Sequence, residues 1–168
     1  MAEGLDPTPA STASDGRHKI AFVPYGADVN PLSVATLGKP TTKNVTYSYT
    51  SDGFAHAITQ ATVEDKRYTL SQDLSRGGKT TETLEVKYVD SEDPSSAAVI
   101  HPRDTAGWFV RRKALDNATD WAADQVVDVI TVIAGVQRPD APTENGVDTI
   151  TQGMYITAPT QTKVKLVE

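Results

Sequence analysis

The sequence predicts a mostly β protein: an antiparallel β-sandwich or barrel of about eight strands with one short helix. Extended segments rich in Thr, Val and Tyr recur along the chain, and clusters of Gly, Pro, Asn and Asp separate them. Helices do not alternate with these segments, as they would around a parallel sheet. A single segment begins in the way that helices begin, so we expect little helix.

The predicted strands are each bounded by turn residues. In chain order they are 19–23, 43–50, 58–72, 79–90, 107–113, 126–134, 148–157 and 162–167. The segment 126–134 is the most hydrophobic, and its β-branched residues favour a core strand over a helix. A short apolar segment, 32–37, follows a turn at Asn30-Pro31.

The strand 43–50 has one apolar face, because Val45, Tyr47 and Tyr49 alternate with polar residues. Ser51-Asp52-Gly53 follows it and predicts a turn, with Gly53 available for a positive φ. This turn separates the strand 43–50 from the strand that begins at Ile58.

The longest extended pair is Ile58 to Asp90, which we expect to join in a hairpin connection at Ser75-Arg76-Gly77-Gly78. In its second strand, side chains alternate between two faces of the sheet. Leu84, Val86 and Tyr88 lie on one face, and Thr83, Glu85 and Lys87 lie on the other. One face of this strand is therefore expected to be buried and the other to face water.

The one predicted helix lies within 93–100. Asp93 is a good N-cap, Pro94 suits the first helical position, and Pro102 ends the element after about two turns. The first 17 residues hold almost no large apolar side chain, so we expect a flexible arm over 1–17 and one β domain over 18–168.

Composition excludes several classes of function. The 168 residues contain no cysteine, which excludes disulfides, thiolate metal sites and cysteine nucleophiles. The net charge of −6 argues against a protein that grips nucleic acid, although it is compatible with nucleic acid sliding past. No window holds the roughly 18 apolar residues that a membrane span needs, and no signal sequence is recognisable.

The sequence shows no catalytic, cofactor or metal site. His18, His56 and His101 are isolated from one another, and none of the common nucleotide, zinc or hydrolase motifs is present. Residues 64–67 are expected to form a mixed-sign surface patch. Arg111-Arg112-Lys113, the densest basic cluster, is expected to pair with acidic groups on a neighbouring molecule.

The order of several short segments resembles that in the major tail (tail tube) proteins of long, non-contractile-tailed bacteriophages, particularly those of actinobacterial hosts. The resemblance covers about residues 19–168. The segments that carry it are Pro31 to Leu37, Ser51 to Phe54, Thr62 to Arg67, Gly77-Gly78 with Leu84 to Val89, Ala106 to Arg112, Trp121 to Val129, and Gly135 to Pro139.

The resemblance implies a tail-tube-like fold that assembles into stacked, hexameric rings around a channel for the phage genome. Ile58–Gln72 and Lys79–Asp90 are then the candidate channel-lining strands. The candidate residues facing the lumen or a neighbouring subunit are Thr59, Thr62, Glu64, Thr83, Glu85 and Lys87. The candidate ring-stacking loop contains Tyr49, Ser51, Asp52, Phe54 and His56.

The implied partners are further copies of the chain, the tape-measure protein during assembly, and double-stranded DNA that passes without tight binding. The implied location is the tail of the virion, after synthesis in the host cytoplasm. The resemblance also implies that the chain does not insert into a membrane and is not an enzyme. The alternative is a carbohydrate-binding or adhesion β-sandwich of a tail tip or cell surface. It predicts exposed aromatic side chains near loop ends, which Trp121 and Tyr25 could supply, whereas the tube interpretation makes Trp108 and Trp121 core or interface anchors.

Overall fold

The predicted extended segments form one eight-stranded sheet that curls into a half-barrel in the computed structural model, which describes residues 9–168. The strands are β1 (His18–Pro24), β2 (Lys43–Asn44), β3 (Tyr49–Asp65), β4 (Leu74–Val89), β5 (Ala106–Lys113), β6 (Val126–Pro139), β7 (Thr149–Ile156) and β8 (Gln161–Lys165). Their order is β2-β1-β5-β6-β7-β4-β3, and β8 pairs with the first part of β6. Every strand pairing is antiparallel, which confirms the predicted fold class.

The structure has two short α-helices where the sequence predicts one, and the predicted helix is shorter than expected. They are α1 (Val34–Leu37) and α2 (Ala97–Ile100). Ser96, not Asp93, is the N-cap of α2, because its hydroxyl accepts a hydrogen bond from the Ala98 backbone at 3.3 Å. The Asp93 carboxylate instead accepts from the Ser95 N–H at 2.8 Å and holds the turn before the helix.

The predicted strand 43–50 is broken after two residues by a 3₁₀ turn, Thr46–Ser48. The side-chain oxygen of Asn44 accepts hydrogen bonds from both the backbone N–H and the hydroxyl of Thr46, at 3.1 and 2.6 Å. This local turn competes with the sheet for the backbone. Val45 is consequently buried while Tyr47 is exposed, so the two do not share a face.

The predicted turn at Ser51-Asp52-Gly53 is part of β3, which continues through it with a register shift between Tyr49 and Phe54. Gly53 serves a close approach of two backbones rather than a positive φ. A Cβ at this position would collide with the carbonyl oxygen of Lys87 on the neighbouring strand. The glycine therefore allows β3 to lie against β4 at this irregularity.

The predicted hairpin connection at Gly77-Gly78 is also wrong, because both glycines lie inside β4 and the connection is 66–73. Opposite them, the β3–β4 ladder shifts register between Gln60 and Thr62. A Cβ at Gly77 would come within 2.7 Å of the Gln60 amide. The glycines thus make room for a bulge within a long hairpin.

The main core lies on the concave side of the half-barrel. Phe54 of β3 and Phe109 of β5 have ring centroids 5.5 Å apart, although three strands separate β3 from β5 in the sheet. Curling of the sheet brings these side chains together. Leu84, Val86 and Tyr88 are buried in this core, as their alternation predicts.

A second apolar cluster lies on the convex side of β1, β5 and β6. The segment that carries α1 and the end of the chain cover it, with Leu37 and Leu166 contacting Val110 and Val127. Residues 9–17, the described part of the predicted arm, are exposed. The remainder of that arm lies outside the described residues, so its flexibility and the domain limits stay predictions.

Candidate functional site

The convex side of β7, β4 and β3 carries no second layer of described residues. We call it the outer face. Its members are exposed or half-buried and are mostly small or polar: Ala55, Ala57 and Thr59 on β3; Thr81, Thr83, Glu85 and Lys87 on β4; Thr149, Thr151, Gly153 and Tyr155 on β7; and Arg138 at the end of β6. It is the wet side of the strands whose other side forms the main core.

Charges on the outer face are arranged in pairs of opposite sign. Glu85 accepts a hydrogen bond from Arg138 at 3.0 Å, and Lys87 lies 3.5 Å from Asp140. Hydrogen bonds to its carboxylate lower the pKa of Asp140, and the bond from the Thr149 hydroxyl, at 2.7 Å, has the largest effect. Asp140 is therefore ionised at neutral pH, so Arg138 and Lys87 are each matched by a carboxylate. Lys79, two residues before Thr81 on β4, also lies on this face and forms no ion pair with any residue from 9 to 168.

A two-stranded arm extends beyond the body of the sheet. The β4–β7 ladder begins at Leu84, so residues 74–83 of β4 pair only with β3. We define the arm as residues 57–83. Both sides of it are largely exposed, and its end carries the ion pairs Glu64–Lys66 at 3.0 Å and Asp65–Arg67 at 2.6 Å. These pairs are the mixed-sign surface patch that the sequence predicts.

The bulge in β3 determines which residues of the arm share a face. Thr59 pairs with Thr81, while Thr62 pairs with Gly77, an even number of residues away along β4. Paired residues of an antiparallel ladder lie on the same face. Thr62 and Glu64 thus join Thr59 on the outer face, although strict alternation along β3 would separate them.

The predicted lumen or neighbour residues therefore form one set in the structure. Thr83, Glu85 and Lys87 lie on the outer face of β4, and Thr59, Thr62 and Glu64 continue that face onto β3. The bulge that unites the set has a sequence signal in Gly77-Gly78, which is easily taken for a turn. Their role in a lumen or a subunit contact stays a prediction.

The predicted ring-stacking residues lie in β3 and not in a loop: Tyr49, Ser51, Asp52, Phe54 and His56. The rings of Tyr49 and Phe54 lie 5.7 Å apart and pack against the main core. Ser51 and Asp52 are exposed at the irregular start of the strand. The structure leaves their role in stacking a prediction and removes the loop on which it was based.

The base of the arm is held by a polar contact that sequence reasoning missed. The Thr160 hydroxyl donates a short hydrogen bond to Glu82, and this bond lowers the pKa of that carboxyl. His56 lies 3.5 Å from the same carboxylate with its side chain 5% exposed. Because Thr160 is 78 residues away in sequence, no local pattern could have indicated the contact.

The basic cluster on β5 is satisfied within the chain, contrary to the expected pairing with a neighbour. Arg111 and Lys113 lie 3.1 and 2.9 Å from Asp128. Burial alone would raise the pKa of Asp128, but the Lys163 N–H and these two cations outweigh it and lower the pKa. Arg112 points to the opposite side and is buried.

A groove of about 540 Å³ opens at the mouth of the half-barrel, beside the base of the arm. Ile58 and Val126 supply apolar lining, and Arg111, Lys113 and Lys163 supply positive charge around Asp128. Within residues 9–168, no group of three His, Asp or Glu side chains is placed to hold a metal ion. No helix in that part of the chain is both long and apolar enough to cross a membrane.

The two tryptophans give little support to a sugar-binding surface, although Tyr25 is 65% exposed, as that alternative predicts. Trp121 packs between Lys19 and Arg112, whose charged ends lie 5.3 and 5.0 Å from its ring. Trp108 packs against the convex cluster and has Tyr25 beside it at 5.2 Å. Both tryptophans are anchors of that cluster, as expected.

Comparison with known proteins now adds to this geometry. A family model described as phage tail tube protein matches residues 6–168. No curated protein matches the sequence at a significant level. Among solved structures, the chain is similar to one described as the cryo-EM structure of the anti-feeding prophage baseplate, six-fold symmetrised, with a TM-score of 0.58. The identity is 7%, and the match covers 90% of this chain and 95% of the other, so this likeness concerns the fold.

Proposed function

The chain belongs to the phage tail tube protein family, and from this premise we propose that it forms the wall of a conduit for the phage genome. Family membership gives it a structural role in the virion tail, where copies assemble into a tube with other tail components. The proposal adds that hexameric rings stack into this tube, and that the tail is of the long, non-contractile type. The proposal also includes synthesis of the chain in the host cytoplasm.

The outer face is the surface that we propose lines the channel. The single observation that carries this is that the outer face forms one continuous surface of small and polar residues. It extends from Thr151 on β7, across Glu85, to Thr59 and Glu64 on the arm. Its ion pairs leave few cations to hold phosphates, and the protein carries a net charge of −6. A polyanion would pass such a wall without strong adhesion.

The ring geometry is proposed from the sheet and its relative. β3 has no partner along its outer edge within the described residues, and an unpaired edge readily accepts a strand from another copy. The similar structure is described as six-fold symmetrised, which supports six copies in a ring. The proposed partners are then further copies of the chain, the tape-measure protein during assembly and passing double-stranded DNA.

Electron microscopy of the purified protein at high concentration tests the tube. We expect rings or hollow tubes of uniform bore, and strict monomers at every salt concentration would contradict the proposal. Because the chain has no cysteine, single cysteines then report the lumen. Thr83→Cys in tubes should react with a small maleimide but be shielded from a polymer-linked one. Glu144→Cys, in an exposed loop, should react with both in the same tubes.

A further inference from the structure

The arm carries an apolar strip on the side opposite the outer face. Ile58, Val63 and Leu74 are 50%, 40% and 49% exposed. Their ladder partners are Glu82, Arg76 and Asp65, and the partners on β4 alternate in phase with the buried Leu84. The strip therefore continues the core-facing side of the sheet beyond the point where the sheet has a core to cover.

The groove at the mouth of the half-barrel presents the complementary surface. It lies on the same concave side, where the main core ends, and Val126 at its rim is 48% exposed. Ile58, the first residue of the strip, already lines it. The main core thus ends in an open apolar site, while the next two apolar residues of its own strand pair extend away from it.

We propose that the strip of one copy, through Val63 and Leu74, packs into the groove of a neighbouring copy beside Val126. Val63 lies five residues beyond Ile58 along β3, which is roughly 15 Å of extended strand. Leu74, opposite Asp65, is still farther out. An arm with this geometry cannot fill its own groove with these side chains, but it can reach that of an adjacent subunit.

A second copy is the occupant that the observations favour. The proposal rests on the self-assembly of the chain, which its family implies. Both surfaces are incomplete continuations of one core, so packing one against the other restores the interior that each lacks. Asp73, beside Leu74, and Lys163, on the groove, form no ion pair with any residue from 9 to 168, and they would carry opposite charges into the contact.

Disulfide trapping between copies tests the contact directly, since the chain has no cysteine of its own. Val63→Cys and Val126→Cys are prepared separately, one with a size tag, and are mixed under assembly conditions with a mild oxidant. We expect mixed disulfide dimers to form. Thr62→Cys, one residue away but on the outer face, is the matched control and should cross-link to Val126→Cys at least tenfold less.

A charge variant gives a second measurement. Val63→Lys should raise the concentration at which tubes form by about tenfold or more, because it places an ammonium group in the apolar contact and close to the positive charges of the groove. Val147→Lys, the same substitution at a 65% exposed position in the loop between β6 and β7, should leave that concentration nearly unchanged. Both positions are exposed in the isolated chain, so circular dichroism and thermal unfolding of the monomer should show both variants folded.

The outcomes separate this contact from the proposed function. Tubes that form without a Val63–Val126 cross-link, or that tolerate Val63→Lys as well as Val147→Lys, would overturn the contact and leave the tube standing. A wild-type chain that never assembles would overturn the tube and this inference with it. Cross-linking of Val63→Cys and Val126→Cys within tubes, together with weak cross-linking of the control, supports both.

Discussion

The hydroxyl of Tyr49 and Nε2 of His101 lie 3.1 Å apart beside the main core. The imidazole also packs edge-on against Phe22, with ring centroids 4.6 Å apart. Burial lowers the pKa of His101 to about 3. Nδ1 has no hydrogen-bond partner within residues 9–168, so a protonated ring would hold both a charge and an unpaired N–H inside the protein.

Acid should therefore destabilise the fold before most carboxylates titrate. Between pH 6.5 and about 3 the unfolded chain binds a proton at His101 that the folded chain does not bind. The free energy of unfolding should be fully retained above pH 6.5 and should fall by up to about 1.4 kcal/mol for each pH unit below it. Urea unfolding of the monomer at pH 7, 6 and 5 measures this dependence.

Histidine variants assign the dependence to its source. His101→Gln should remove most of the loss between pH 7 and 5. The matched variant His18→Gln should retain most of it, because burial, Arg111 and Lys113 lower the pKa of this exposed histidine much less. Proton NMR gives a direct check in the unmutated chain. An imidazole resonance of His101 that titrates near pH 6.5 would contradict the prediction.

Arg112 should be among the most sensitive positions in the chain. Its buried guanidinium donates to the carbonyls of Asp116, Thr119 and Asp120 at 2.8, 2.9 and 3.1 Å, and to the side chain of Gln125 at 3.0 Å. Arg112→Ala removes all four hydrogen bonds and the packing of the guanidinium against Trp121, and it leaves a cavity, so it should cost about 3 kcal/mol or more.

Two comparisons test the reason for that sensitivity. Arg112→Lys keeps the charge but loses the forked geometry, so it should recover only part of the stability. Arg103→Ala removes an exposed arginine and should change the free energy of unfolding by less than about 0.5 kcal/mol. Urea unfolding followed by tryptophan fluorescence measures all three, and equal losses at Arg112 and Arg103 would refute the role assigned to Arg112.

Substitution by alanine should destabilise the protein at one glycine of the sheet and be tolerated at another. Gly53→Ala places a Cβ against the Lys87 carbonyl and should cost about 1–3 kcal/mol, because the clash is with backbone. A Cβ at Gly153 would meet nothing within 4 Å, so Gly153→Ala should lie within about 0.5 kcal/mol of the unmutated chain. Thermal unfolding of both variants compares them, and a tolerated Gly53→Ala would contradict the close approach.

Removing a carboxylate from the outer face should make assembled tubes retain DNA. Glu85→Gln leaves Arg138 without its partner, which adds one positive charge per copy to the proposed channel. Glu144→Gln makes the same change of charge in an exposed loop and is the matched control. Retention of short duplex DNA, measured between 50 and 200 mM salt, should rise for Glu85→Gln and fall steeply with salt. Equal retention by both variants would count against this face as the channel wall.

Sequence alternation predicted the strands well where one side is buried. In the second long strand, Leu84, Val86 and Tyr88 alternate with polar residues over a length that admits no other regular structure. It failed where a short polar side chain competes for the backbone. Asn44 turns the chain into a 3₁₀ turn, and Ser96 rather than Asp93 caps α2. Such choices depend on hydrogen bonds that composition does not reveal.

The glycines show a second limit. The sequence predicts turns at Gly53 and Gly77, yet each glycine lies within a strand. Gly53 allows the backbones of β3 and β4 to approach closely, and Gly77 makes room for the bulge in β3. Sequence patterns mark such positions as special without saying which use applies. The His56–Glu82–Thr160 contact has no sequence signal, because it joins the β3–β4 pair to the connection between β7 and β8, 78 residues away from Glu82.

The two ends of the strand order differ greatly: β2 offers two residues as an edge, whereas β3 offers seventeen. An interface built on such unlike edges is heterologous, so each copy presents one kind of surface forward and another backward. Rotation can close a chain of these contacts into a ring, but it cannot make the contacts symmetric. In every such ring, the contacts would follow one another in the same direction around the ring. Its two sides consequently differ in chemistry, so a stack of rings would grow with one direction and present two distinguishable ends.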